Sequence, residues 1–131
     1  MVTPAYMNVW YDWHKYLVWG YDGQTANWIM NNGVNLIASN IASWTGVPLF
    51  MGEWSTAAPA SATFTDVTLK QYANNTITTM GAAGAGWTMW TWKQQCGNLR
   101  PNGQGGWSMK DLIRDCIIDP KLWDRISTIC P

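Results

Sequence analysis

Apolar runs that alternate with segments of helical period constrain this chain more than any other feature. Residues 7–11 (MNVWY) read as a buried strand that leads into Asp12-Trp13-His14-Lys15-Tyr16. After a break at residues 20–23, Met30, Val34, Ile37, Ile41 and Trp44 recur at steps of four, three, four and three. That is the stripe of an amphipathic helix. Gly46 and Pro48 end it and open a second run at residues 49–51. Residues 55–65, rich in Ser, Thr, Ala and Pro, read as a loop, and residues 66–80 as a helix with Leu69, Tyr72 and Met80 on its apolar side. Gly81-Ala82-Ala83-Gly84-Ala85-Gly86 then leads into a third strand at 87–92. Its glycine order differs from the dinucleotide fingerprint and precedes a strand instead of following one, so close backbone packing is expected there. A polar loop at 94–106 ends at Ser108, which with Asp111 three residues on predicts a helix N-cap before Leu112, Ile113, Cys116 and Ile117.

The resulting order, β-α-β-α-β-α, implies parallel strands joined by crossover helices, an α/β architecture. Three parallel strands leave two open edges and much uncovered apolar surface. A closed eight-unit barrel takes about 250 residues, and this chain has 131. It is therefore expected to be the last three β/α units of a (β/α)8 barrel, residues 1–131 forming part of one catalytic domain with no internal boundary.

Composition narrows the function. Charged residues are 12% of the chain and balance to zero, which argues against nucleic acid or an acidic membrane surface as partner. No apolar stretch approaches the roughly 18–20 residues that span a bilayer. No basic start followed by an apolar core is visible, so no signal peptide is expected in these residues. Eleven tryptophans stand out, because large rings build cores and also form platforms for the apolar faces of sugars. Cys96, Cys116 and Cys130 match no zinc pattern and allow three pairings of one disulfide. Asn74-Asn75-Thr76 is a glycosylation sequon of the kind used in secreted proteins.

Chemistry is expected where strands end, at the C-terminal face of such a sheet. Glu53, the chain's sole glutamate, ends the second run after a glycine and before a tryptophan. His14 and Tyr16 end the first, two apart and so on one side while the strand lasts. Trp90 and Trp92 end the third with the same spacing.

These motifs resemble a known family. DWHKYLVW at 12–19, GEWS at 52–55 and GWTMWTWK at 86–93 look like the last three strand ends of glycoside hydrolase family 5, and most resemble its exo-β-1,3-glucanase branch. The terminal WSMKDLIRDCIIDPKLWDRISTIC is similar to that branch's last helix and tail. The resemblance implies that Glu53 is the nucleophile of a retaining mechanism, attacking the anomeric carbon as an ionised carboxylate. It implies that Tyr16 hydrogen-bonds the nucleophile or ring oxygen and that His14 contacts substrate or the acid carboxylate. Trp90 matches the stacking platform under the sugar, with Trp92 the alternative register, and Trp19 holds the next sugar near the cleft entrance. Asp12 orients a strand-end neighbour by a hydrogen bond. Glu53 is then expected to open onto a sugar-sized hollow lined by Trp90 and Tyr16. The implied partner is a β-glucan or β-glucoside, with no cofactor, no metal, and a secreted or cell-wall location.

Structural alternatives stand beside each assignment. A lone histidine is ordinarily a satisfied polar residue, most strand tryptophans are core, and Glu53 has Lys93 in reach on the neighbouring run as an ion-pair partner. Retaining hydrolysis also needs a second carboxyl about 5–5.5 Å from the first. In the resembled family it follows an asparagine on an earlier strand, which this chain lacks, and neither Asp12 nor Asp22 sits in a matching motif. The chain alone is therefore expected to be inactive. The competing functional reading is a stand-alone, tryptophan-rich carbohydrate-binding module, or an inactive fragment.

Overall fold

The computed structural model of the chain describes residues 8–94 and 106–118. In order it contains β1 (Tyr11–Lys15), α1 (Ala26–Trp28), a π-helical turn (Ile29–Gly33), α2 (Val34–Ala42), β2 (Leu49–Trp54), α3 (Asp66–Gly81) and α4 (Met109–Arg114). Strands β1 and β2 pair in parallel, joined by the α1–α2 crossover. This is a small α/β arrangement, as the alternation requires.

The third strand is reduced. The run expected as a strand at 87–92 forms one parallel bridge, Met51 with Trp87. Further bonds hold the segment alongside β2: Ala85 N–H to the Leu49 carbonyl at 2.9 Å and Trp90 N–H to that of Trp54 at 2.8 Å. Three complete β/α units are accordingly not seen among the described residues. The first strand also lies later than expected, at Tyr11–Lys15 instead of 7–11, and is largely exposed. Among the described residues only one of its edges is paired.

The crossover helix buries Ile29, Val34, Ile37 and Ile41. The expected stripe began at Met30, but the π turn inserts one residue. Val34 N–H reaches back five residues to the Ile29 carbonyl, so Ile29 takes the core position. Gly33 sits under Leu17, whose methyl carbons would lie 3.1–3.2 Å from any added Cβ. This contact locks the loop after β1 onto the helix. In α3, Thr65 caps Thr68 N–H while the Thr68 hydroxyl accepts from Thr65 N–H, a reciprocal box worth about 1 kcal/mol. That cap offsets the weak helix propensity of the threonines. Tyr72, Ala73, Ile77 and Met80 face the core, and Phe64 stacks on Tyr72 at 5.1 Å.

Residues 55–65 are irregular, as expected of a loop, yet Ser55, Thr56, Ala57, Ala58 and Ala62 are buried. The Gly81–Gly86 stretch differs from expectation in the opposite sense. An added Cβ would meet nothing within 4 Å at Gly84 or Gly86. What Gly86 supplies is a φ of 93°, which turns the chain into the bridge with β2. The sequon acceptor Asn74 lies within α3 with its Oδ1 buried, and Thr76 spends its hydroxyl on the Tyr72 carbonyl. The folded helix presents this sequon poorly to a glycosylating enzyme. Cys116 is disulfide-bonded, which eliminates the Cys96–Cys130 pairing; Cys96 and Cys130 lie outside the described residues. No described helix is long and apolar enough to cross a membrane, and no metal-binding cluster occurs among the described residues.

Candidate active site

The site forms where β1 and β2 end, and a bulge creates it. Trp13 pairs with Met51 and His14 with Glu53, so Gly52 is skipped. Strict alternation from Leu49 and Met51 would put Glu53 on the buried face. With the extra residue, Trp54 takes that place at 0% exposure and Glu53 stands opposite His14. Bulges commonly re-aim one side chain in this way. Gly52 serves a second purpose, because a Cβ there would collide with the Asp12 carboxylate. Glycine before glutamate is thus a requirement of the site, giving Asp12 room to lie across β2.

Asp12, His14 and Tyr16 fall on one side at the end of β1, and two of them reach Glu53. The Tyr16 hydroxyl donates to Glu53 Oε2 at 2.6 Å. His14 Nδ1 lies 3.4 Å from the same oxygen, and its Nε2 lies 3.1 Å from Asp12 Oδ2. Histidine therefore lies between two carboxylates, and the Glu53 oxygen that accepts from Tyr16 has His14 Nδ1 close beside it. Burial, then the bond to Glu53, then its negative charge hold the Tyr16 phenol well above the ordinary tyrosine range. Tyr16 is thus a fixed donor. The Glu53 side chain keeps 33% of its surface exposed, open to a reacting group. Among the described residues its polar partners are Tyr16 and His14, not Lys93.

The aromatic assignments divide. Trp19 packs against Tyr16, ring centroids 5.1 Å apart, and is 65% exposed. Trp90 and Trp92 are exposed and make no ring contact with this group among the described residues. Their backbone is nonetheless anchored beside it: Trp90 N–H bonds Trp54 at the end of β2, and the Trp92 carbonyl accepts from Lys110 N–H at 2.9 Å. The peptide between Trp90 and Thr91 is cis. A residue that sequence reasoning left without a role completes the cluster. Trp107 lies 5.6 Å from Tyr16 and 5.5 Å from Trp19, ring to ring. Its position beside the N-cap serine was visible in the sequence, but nothing there placed it next to Tyr16. Cavities of about 380 Å³ (Trp28, Asn32, Asn35, Leu36, Ser39) and about 320 Å³ (including Met30, Asn31, Asn75 and Thr78) lie on the helical layer and contain no site residue.

No family model matches the sequence, and no curated protein is significantly similar to it. The structure is similar to that of rutinosidase from Aspergillus niger, with a TM-score of 0.64 and 23% identity over 88% of this chain and 32% of that one. It is also similar to the protein called AoRut, with a TM-score of 0.61 and 23% identity over 89% of this chain and 32% of that one. The likeness shows a shared fold, and the chain spans about a third of the length of these structures.

Proposed function

We propose that this chain is the nucleophile-bearing, C-terminal portion of a retaining β-glycosidase built on a (β/α)8 barrel. One observation carries the reading: the sole glutamate, at a parallel strand end, is partly exposed and held by a phenol donor and a histidine on one oxygen. The phenol donor stabilises the ionised carboxylate and fixes the direction of its attack. In the retaining mechanism Glu53 forms the glycosyl ester, and the second carboxyl protonates the leaving oxygen, then activates water. Tyr16 keeps its proton throughout and orients Glu53, His14 ties Glu53 to Asp12, and Trp19, Trp90 and Trp92 supply stacking surface for sugars.

The motifs at 12–19, 52–55 and 86–93 support an exo-acting preference for β-1,3-glucan. The name of the Aspergillus niger structure that shares the fold adds rutinosides to the substrates worth testing. The second carboxyl belongs to barrel strands that this chain does not supply, so the 131 residues alone should not turn over a β-1,3-glucan, an aryl β-glucoside or a rutinoside. Joined to the upstream strands of a family 5 barrel, they should restore turnover, and Glu53→Gln should then abolish it. Ordinary turnover by the isolated chain, or an active Glu53→Gln hybrid, would refute the reading.

A stand-alone binding module is the second reading, favoured by the exposure of Trp10, Trp19, Trp90 and Trp92. It predicts saturable glucan binding with no restoration of turnover in the hybrid.

A further inference from the structure

Trp107 is held by its backbone more tightly than a half-buried residue needs to be. On one side Gly106 is packed so closely on Thr56 and Ala57 that a Cβ would collide with their backbone. The Gly106 carbonyl accepts from both Thr56 N–H and the Thr56 hydroxyl, each at 3.1 Å. On the other side Ser108 is 0% exposed and caps α4 through Asp111 N–H. The Trp107 carbonyl itself accepts from Thr91 N–H at 2.7 Å, and Met109 N–H returns to the Thr91 carbonyl at 2.9 Å. One residue is thus fastened to the loop after β2 and to the end of the third run.

Its side chain does the reverse of a core residue. The indole is only half-buried and rests against Tyr16 and against Trp19, itself 65% exposed. The two indoles meet at 45° with centroids 5.5 Å apart. A rigid frame that holds an exposed indole, Trp19, beside a partly exposed one, Trp107, spends little ordering entropy when a flat apolar surface settles on them. Beside the rings lie the groups that hydrogen-bond hydroxyls: the Tyr16 phenol, the Glu53 carboxylate and His14.

We propose that Trp107 and Trp19 together form a stacking platform for a six-membered ring with an apolar face, one phenol's length from Glu53. The ring is a sugar unit or an aryl group attached to one, since both offer the same surface to an indole. The new assignment is Trp107. Its orientation relative to Glu53 rests on the glycosidase reading, but the binding itself does not.

The test is saturation-transfer NMR on the 131-residue chain with a β-1,3-linked glucotriose and, separately, 4-nitrophenyl β-glucoside, at millimolar concentration. Saturable binding of at least one probe is expected. Trp107→Ala and Trp19→Ala should each weaken it about tenfold, the size of one stacking contact. Trp107→Phe should retain most of it. Transfer to the glucosyl protons identifies a sugar source, and transfer to the nitrophenyl protons an aryl one; both support the platform. Should Trp107→Ala fail to fold, the surface variant Trp19→Ala and the conservative Trp107→Phe decide. Absence of binding by the wild-type chain, or wild-type affinity in the alanine variants that fold, would overturn the proposal. A hybrid barrel in which Glu53→Gln stays active would instead sink the glycosidase reading and leave the platform standing.

Discussion

Tyr16 links the polar and aromatic halves of the site, its hydroxyl on Glu53 and its ring on Trp19 and Trp107. Because its folded-state value is raised, the fold retains a phenol proton that the unfolded chain releases at a pH of about 10. Tyr16 therefore contributes stability that is complete below that pH and is lost as pH rises toward the folded value. The buried Tyr72 acts in the same direction, its phenol pushed up by burial. In an alkaline absorbance titration, Tyr16 and Tyr72 should ionise late, and Tyr16→Phe should remove one late step. The same variant should lose about 1 kcal/mol at neutral pH, the net value of one hydrogen bond. Its urea midpoint should also fall less than that of the wild type between pH 9 and pH 11. An unchanged late phase in Tyr16→Phe would show that Glu53 does not hold this phenol.

At the scale of elements, the second strand end is set by a close approach that no periodicity reveals. The segment before α4 crosses the loop after β2 with Gly106 on the backbone of Thr56 and Ala57. Gly106→Ala forces one of them to move, and overpacking of this kind costs about 1–3 kcal/mol. The thermal transition should fall accordingly, and the environment of Trp107 should change in its fluorescence. Thr65→Ala, which removes only the cap of α3, should cost about 1 kcal/mol and leave that fluorescence unchanged. Equal spectral effects of the two variants would contradict the view that Gly106 sets Trp107.

At the scale of the whole molecule, β1 has one paired edge among the described residues, and Val9, Trp10 and Tyr11 are exposed beside it. An unpaired strand edge flanked by aromatic surface is a template for another strand. In the barrel proposed above, that place would belong to a preceding strand. In the isolated chain we expect concentration-dependent association, read as a rising sedimentation coefficient. Trp10→Lys, which charges the edge, should reduce it at the same protein concentration. A chain that stays monomeric at high concentration would show that the edge is covered.

Local chemistry in the sequence determined the element types. The 3.6-residue stripe from Val34 to Ile41 made a helix, Ser108 with Asp111 made a cap, and the alternation of runs made the strand pair parallel. The nearness of Asp12, His14 and Tyr16 to one another was legible for the same reason, since a strand repeats every second residue. Tertiary structure decided the face to which Glu53 turns. That depends on a bulge between Trp13 and His14, which appears only when two strands are laid together and Trp54 claims the buried position. It also decided that Trp107 meets Tyr16 and Trp19, because contacts between residues distant in sequence follow from packing of whole elements and leave no local period to read.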